Sequence, residues 1–263
     1  MSDFAFTLAA TSTVTFAAML ALWLVSLAIK NVAIVDVFWG LGFILIAAVA
    51  AMCNGPPTAR VQLLLAMTSL WGLRLAAYLL YRNWGKGEDR RYAAMRKNHG
   101  ERFGRVSLVT VFLLQGLLLV WIALPLEVAA VAKSAAPLGL LDGVGALLWF
   151  VGLTFETVGD YQMARFQSER ANEGRVMDRG LWRYTRHPNY FGDFCVWWGL
   201  YLTAAAGGAA ITLLSPLTMS LLLLRVSGVA LLEQTIGERR PDYAEYRKRT
   251  SSFFPWPRRT LGG

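Results

Sequence analysis

Seven apolar stretches, each long enough to cross a bilayer as a helix, set the limits on what this chain can fold into. An α-helix rises 1.5 Å per residue, so about 20 apolar residues cover a hydrocarbon core of about 30 Å. Such stretches occupy residues 5–29, 33–53, 61–82, 106–132, 138–163, 190–207 and 210–236. With 56% hydrophobic residues and a mean hydropathy of +0.43, the composition rules out a water-soluble fold. Lipid offers no partner to a backbone N–H or C=O, so spans of this length read as helices, each closing its own hydrogen bonds. The expected fold is all-α and polytopic, with seven transmembrane helices. The first stretch has no charged region before it and no small-residue cleavage site after it, so it is expected to be retained as a helix.

The connections alternate in character. Residues 54–60, 132–137 and 204–210 are short and almost uncharged, whereas 82–105, 165–186 and the tail from Arg239 are dense in Lys and Arg. Cytoplasmic loops carry such excess, so these segments are expected inside. The N-terminus is then outside and the C-terminus cytoplasmic. The net charge of +9 follows from that topology and from attraction to anionic headgroups, with a share left over that could hold a polyanion. It calls for no nucleic acid. Cys53 and Cys195 fall at opposite expected faces, and the chain has two histidines. Neither a disulfide nor a metal centre is expected.

Ionisable side chains inside spans are expensive and need a partner or a cavity. Asp36, Arg74, Glu156, Asp160, Asp193, Arg225 and Glu233 all fall in the expected cytoplasmic half. A polar chamber open to the cytoplasm explains that bias; salt bridges between spans are the alternative for any one of them. Asp36 has only apolar neighbours in sequence. It is either a protonated acid aimed into a cavity or an ionised group paired with Arg74, which Trp71 and Tyr78 flank at helical spacing.

Between Asp160 and Asp193 the chain runs through six arginines, the last of them opening Arg186-His187-Pro188-Asn189-Tyr190. Arginine forks suit phosphate oxygens, and aromatic faces suit a purine or nicotinamide ring. Pro188 cannot sit in a helix interior, so the sixth span should start there, beside free backbone N–H groups. That outlines an anion site. The alternative is a basic cytoplasmic loop with Trp182, Tyr184 and Tyr190 as interfacial anchors.

The order Arg186-His187-Pro188-Asn189-Tyr190-x-Gly192-Asp193, then Glu233, Pro241-x-Tyr243-x-x-Tyr246 and Phe253-Phe254-Pro255-Trp256, resembles the C-terminal half of the membrane steroid 5α-reductase family, its bacterial branch in particular. The likeness covers roughly residues 150–258. Sterol reductases and the membrane methyltransferases of isoprenylcysteine or phospholipid carry relatives of the pattern. The resemblance implies a seven-helix domain over residues 1–263, with helices of 1–135 facing substrate and those of 136–263 holding NADPH. By position, Asp160, Arg175, Asn189, Gly192, Asp193, Arg225 and Glu233 fall where that family contacts its cofactor. Arg179, Tyr184, Arg186, His187, Tyr190, Tyr243 and Tyr246 extend the set. In the N-terminal half the counterparts of the substrate-polarising residues are Asp36, Trp71, Arg74 and Tyr78, with Tyr78 able to supply a hydroxyl.

The expected activity is NADPH-dependent reduction of a carbon–carbon double bond conjugated to a ketone in a hydrophobic substrate, of the 3-oxo-Δ4-steroid type. The expected protein is a monomer in the bacterial inner membrane, in contact with lipid, with its cofactor site facing the cytoplasm and no metal or nucleic acid. Two other readings stand beside it: a methyltransferase using S-adenosylmethionine, and a non-enzymatic lipid binder or transporter.

Overall fold

The computed structural model describes residues 3–134, 136–226, 229, 233, 240 and 242–258. Among them the regular elements are helical: α1 (Asp3–Ile29), α2 (Ile34–Cys53), α3 (Ala59–Asn83), α4 (Arg90–His99), α5 (Phe103–Ser107), α6 (Leu114–Ala132), α7 (Leu140–Ser168), α8 (Pro188–Ala204), α9 (Leu214–Leu221) and α10 (Tyr243–Arg249). Six helical runs are long and apolar enough to cross a membrane. The chain is a polytopic all-α membrane protein.

Six runs stand where seven were expected because 190–207 and 210–236, which hold α8 and α9, are joined through short helical turns and count as one. They share one continuous run, Pro188–Val226, which nevertheless folds back on itself. A straight helix would hold Trp198 and Ser220 about 33 Å apart, yet Trp198 Nε1 donates to Ser220 Oγ at 3.1 Å. The reversal centres on Gly208, whose φ of 103° an L side chain would resist. Residues 227, 228, 230–232 and 234–236 of the expected seventh span lie outside the described residues, as does Pro241. The basic stretch 82–105, expected as a loop, is also largely helical. Asp89 caps α4 by accepting from Arg91 N at 2.9 Å, and α5 runs into α6 through a π-helical stretch, Leu108–Leu113.

The chain divides into two compact units: Met1–Asp142 with Leu200–Ser215, and Gly143–Gly199 with Pro216–Gly263. In the first, α2 packs against α1, α3 and α6. The crossing of α2 and α3 is fixed by Gly40 and Gly72, where a Cβ on either would collide with the other's carbonyl. α1 buries Thr7, Thr11, Thr15, Met19 and Ser26, a stripe close to helical spacing. Its opposite face leaves Leu20, Leu24 and Leu27 exposed, as lipid contact requires. Pro125 inside α6 cannot donate to the carbonyl four residues earlier, that of Trp121. Ser215 Oγ donates to that carbonyl at 3.0 Å instead.

Buried charge is not confined to one side. Arg60 and Asp142 form a bidentate pair, Nε–Oδ1 at 2.7 Å and Nη2–Oδ2 at 2.9 Å, and both are buried. Glu127 is wholly buried in α6 and bonded by Thr11. These three lie at the helix ends that the expected orientation puts outside, which corrects the reading of a charge bias toward the cytoplasmic half. The second unit carries α7, most of α8 and α10. The segment between α7 and α8 folds onto α7: Trp182 packs with Phe166, Met177 and Met163, and its Nε1 donates to Gly159 O at 3.0 Å.

Candidate functional site

In the first unit, Asp36 has two partners from α4. Tyr92 Oη donates to Asp36 Oδ1 at 2.8 Å and Arg91 Nη2 donates to Oδ2 at 2.9 Å. Gln115 of α6 donates from Nε2 to Tyr92 Oη at 3.2 Å, and Trp39 Nε1 donates to Gln115 Oε1. Three helices therefore meet on one acid–phenol pair. Tyr92 is buried, so its hydroxyl is held in a largely dry setting.

Two expectations are corrected here. The counter-ion of Asp36 is Arg91, where Arg74 was one of the readings; Arg74 lies over the Tyr78 ring at 5.4 Å. The hydroxyl beside Asp36 belongs to Tyr92, where Tyr78 was expected. Trp71 is fully buried and packs on Phe43, ring centroids 5.8 Å apart. Arg91 and Tyr92 escaped the sequence reading because they lie in a charged stretch that topology alone accounted for.

In the second unit, Pro188 opens α8, which sets the preceding residues at the helix mouth. Arg186 donates from Nε to Glu233 Oε1 at 2.7 Å and from Nη2 to Oε2 at 3.2 Å. Its Nη1 reaches the carbonyls of Arg247 and Thr250 at 3.0 and 2.6 Å. His187 Nε2 lies 3.2 Å from Glu233 Oε1, and the His187 ring stacks on Tyr190 with planes 15° apart. Tyr246 Oη donates to Trp182 O, and the Tyr243 and Tyr246 rings are 5.8 Å apart. Burial pushes both phenols up, that of Tyr243 to about 12, so both keep their protons at neutral pH.

The expected residues thus separate into groups. Arg186, His187, Tyr190, Glu233, Tyr243 and Tyr246 form the cluster above. Asn189 Nδ2 donates to the buried Asp160 at 3.3 Å, and Asp193 stands one turn further along α8. Arg175, Arg179, Tyr184 and Arg225 are exposed, and Arg240 binds the backbone carbonyl of Arg175 at 2.6 Å. At Gly192 the space a Cβ would take is filled by α7, with Glu156 N and Gly152 O both 2.6 Å away. That glycine admits a helix backbone, where a ligand was expected.

Arg186 and Glu233 satisfy one another and the end of α10, so their first task is to hold this arrangement. The groups open to solvent are Arg175, Arg179, Tyr184 and Arg225, with Tyr190 partly so. Guanidinium forks with aromatic faces and an acid–amide pair fit the phosphates, rings and hydroxyls of a dinucleotide. Among the described residues, no cluster of His, Cys, Asp and Glu could hold a metal.

These features define a polytopic membrane protein with a charged, aromatic cluster at the start of a late span. The chain belongs to the DUF1295 family, described as proteins of unknown function, which matches residues 22–250. It is also similar to an uncharacterized protein of Schizosaccharomyces pombe, 24% identical over 260 residues, which span 89% of this chain and 75% of the yeast one. No solved structure matches the chain.

Proposed function

We propose that this protein is an NADPH-dependent reductase of a carbon–carbon double bond conjugated to a ketone in a hydrophobic substrate, of the steroid 5α-reductase type. The observation that carries the reading is the Asp36–Tyr92 hydrogen bond of 2.8 Å, which joins an acid in the first turn of a span, where a lone carboxylate is costly, to a buried phenol of α4. When bound, NADPH supplies the hydride, and the protein's part is orientation, exclusion of water and proton supply.

Tyr92 Oη takes the role of proton donor to the ketone oxygen. With Asp36 ionised, the phenol hydrogen points to the carboxylate; a protonated Asp36 donates to Tyr92 Oη and releases that hydrogen toward the substrate. Gln115 holds the phenol oxygen in place, and Arg91 sets how readily Asp36 takes up its proton. A preorganised donor in a dry site stabilises the enolate charge as it develops. NADPH is assigned to the second unit's residues Asp160, Arg175, Arg179, Asn189, Tyr190, Asp193 and Arg225, with Arg186, His187, Glu233, Tyr243 and Tyr246 shaping the cluster around them. The topology that goes with this reading is seven spans, N-terminus outside and C-terminus in the cytoplasm of a bacterial cell, supported by the basic segments 82–105 and 165–186.

Binding of labelled NADPH, NADH and S-adenosylmethionine to the purified protein tests the reading. The proposal requires NADPH to bind and S-adenosylmethionine to be ignored. Binding of S-adenosylmethionine alone would make the protein a methyltransferase, and binding of none would favour the transporter or lipid binder.

A further inference from the structure

A second polar feature of the C-terminal region stands apart from the residues assigned to the dinucleotide rings. A cavity of about 270 Å³ opens at the end of α10, lined by Arg186, Arg247, Lys248 and Arg249, by the hydroxyl residues Thr250 to Ser252, and by Trp256. Among the described residues, no carboxylate lines it. Among the described residues, two carboxylates meet its cations: Glu233, on Arg186 and at 3.8 Å from Arg247, and Glu245, on Arg249 at 2.6 Å. Four cations against two carboxylates leave the walls positive.

A helix C-terminus normally repels an anion, because its last carbonyls point outward unpaired. Here two of them, those of Tyr246 and Arg247, are taken, as is the carbonyl of Thr250 just beyond the helix. Thr250 N donates to Tyr246 O at 3.0 Å, and Arg186 Nη1 takes the carbonyls of Arg247 and Thr250. The wall opposite is equally fixed: Arg186 N donates to Ser251 O at 2.9 Å, Trp256 N to Tyr184 O at 3.0 Å, and Thr185 Oγ1 to Phe253 O at 2.7 Å. The cavity is preformed: Arg186 is spent on the backbone carbonyls of Arg247 and Thr250, which leaves Arg247, Lys248 and Arg249 as the other cations of its lining. Among the described residues, two buried side-chain polar atoms of its lining are left over, Arg249 Nε and Thr250 Oγ1. Thr250 is 3% exposed, and among the described residues its Oγ1 has no hydrogen-bond partner. A buried hydroxyl of that kind calls for a ligand acceptor.

We propose that this cavity binds a phosphate monoester, with Lys248 and Arg249 supplying charge and the Thr250 hydroxyl donating to a phosphate oxygen. A dianion with three terminal oxygens matches several cations and a short run of hydroxyls better than a carboxylate does. The ribose 2′-phosphate of a dinucleotide and the headgroup of a phosphatidate present the same chemistry. The site does not depend on the reductase reading, but if the phosphate is the dinucleotide's, it explains a preference for NADPH over NADH.

The test uses the full-length protein in uncharged detergent, with two probes: adenosine 2′-monophosphate in solution, and phosphatidic acid in micelles, with phosphatidylcholine as reference. At least one phosphate monoester should bind, and whichever does identifies the source. Lys248→Ala and Thr250→Val should each weaken it by about tenfold, the scale of one charge-assisted hydrogen bond, while Thr250→Ser retains it. Failure of both probes, or equal binding by wild type, Lys248→Ala and Thr250→Val, overturns the proposal. Absence of NADPH turnover by the wild-type protein, with phosphate binding intact, would count against the reductase reading alone.

Discussion

Arg186 and Glu233, 47 residues apart in sequence, meet through two N–H···O bonds of 2.7 and 3.2 Å, and the same guanidinium closes the end of α10. One side chain therefore fixes the start of α8, a residue of the late span and the C-terminal segment together. Replacing Glu233 with Ala leaves a buried cation uncompensated, a loss on the order of 3–5 kcal/mol. Thermal unfolding of the purified protein should fall sharply for Glu233→Ala and less for Glu233→Gln, whose amide can still accept one bond. Equal stability of all three would show that the contact holds nothing.

The same physics applies to Arg60 and Asp142 in the first unit. Both are buried and joined bidentately, and Asp142 Oδ2 also accepts from Gly139 N at 2.8 Å. Asp142→Ala should cost about 3–5 kcal/mol, whereas replacing both partners with apolar residues of similar size should recover much of that. Denaturant-induced unfolding of the single and double variants measures the difference.

Glu88 carries a pH dependence whose sign can be worked out. Hydrogen bonds from Arg96, aided by Val32 N, hold its carboxyl below the usual glutamate value. A group depressed in the folded state binds its proton more weakly there than when unfolded. Its contribution is therefore present above about pH 4.5 and is lost as pH falls through the depressed value. Wild type should lose more thermal stability than Glu88→Gln between neutral pH and pH 4.

Gly192→Ala should destabilise by about 1–3 kcal/mol, the range for an overpacked contact, because the added methyl meets the α7 backbone at Glu156 N and Gly152 O. If the space at Gly192 served a ligand, the substitution would cut cofactor affinity and leave the melting temperature unchanged. Measuring both quantities separates the two.

Much of the fold was legible in the sequence, since spans announce themselves by length and apolarity, and Pro188 marks where α8 begins. What stayed hidden depends on contacts between distant residues. Arg60 meets Asp142 82 residues away and Glu127 meets Thr11 116 residues away; no local pattern signals either pairing. The reversal at Gly208, by contrast, falls in the short connection 204–210 that the hydropathy marks between two spans. Composition reads Arg91 and Tyr92 as part of a cytoplasmic loop, and only the packing of α4 brings them to Asp36. The run from Arg186 to Asp193 was visible because its residue types and order are unusual beside a span, yet its arginine turned inward to a carboxylate and two carbonyls.

The proposed acid–phenol pair separates proton supply from cofactor binding. Tyr92→Phe and Asp36→Asn should bind NADPH as wild type does and lose turnover by about 10²–10⁴-fold, the usual contribution of a positioned general acid. Arg175→Ala should do the opposite at low NADPH, raising the concentration needed while leaving the saturated rate largely intact. Titrating NADPH for all three variants distinguishes these outcomes.

The central claim is tested most directly by following a labelled hydride. Purified protein is incubated with NADPH deuterated at the transferring C4 position and a 3-oxo-Δ4-steroid or another apolar enone, and the product is read by mass spectrometry and NMR. The account predicts one deuterium at the carbon β to the ketone, absent when Tyr92→Phe replaces wild type. Binding of NADPH with no deuterium transferred to any enone in an apolar panel, or equal transfer by Tyr92→Phe, would contradict it.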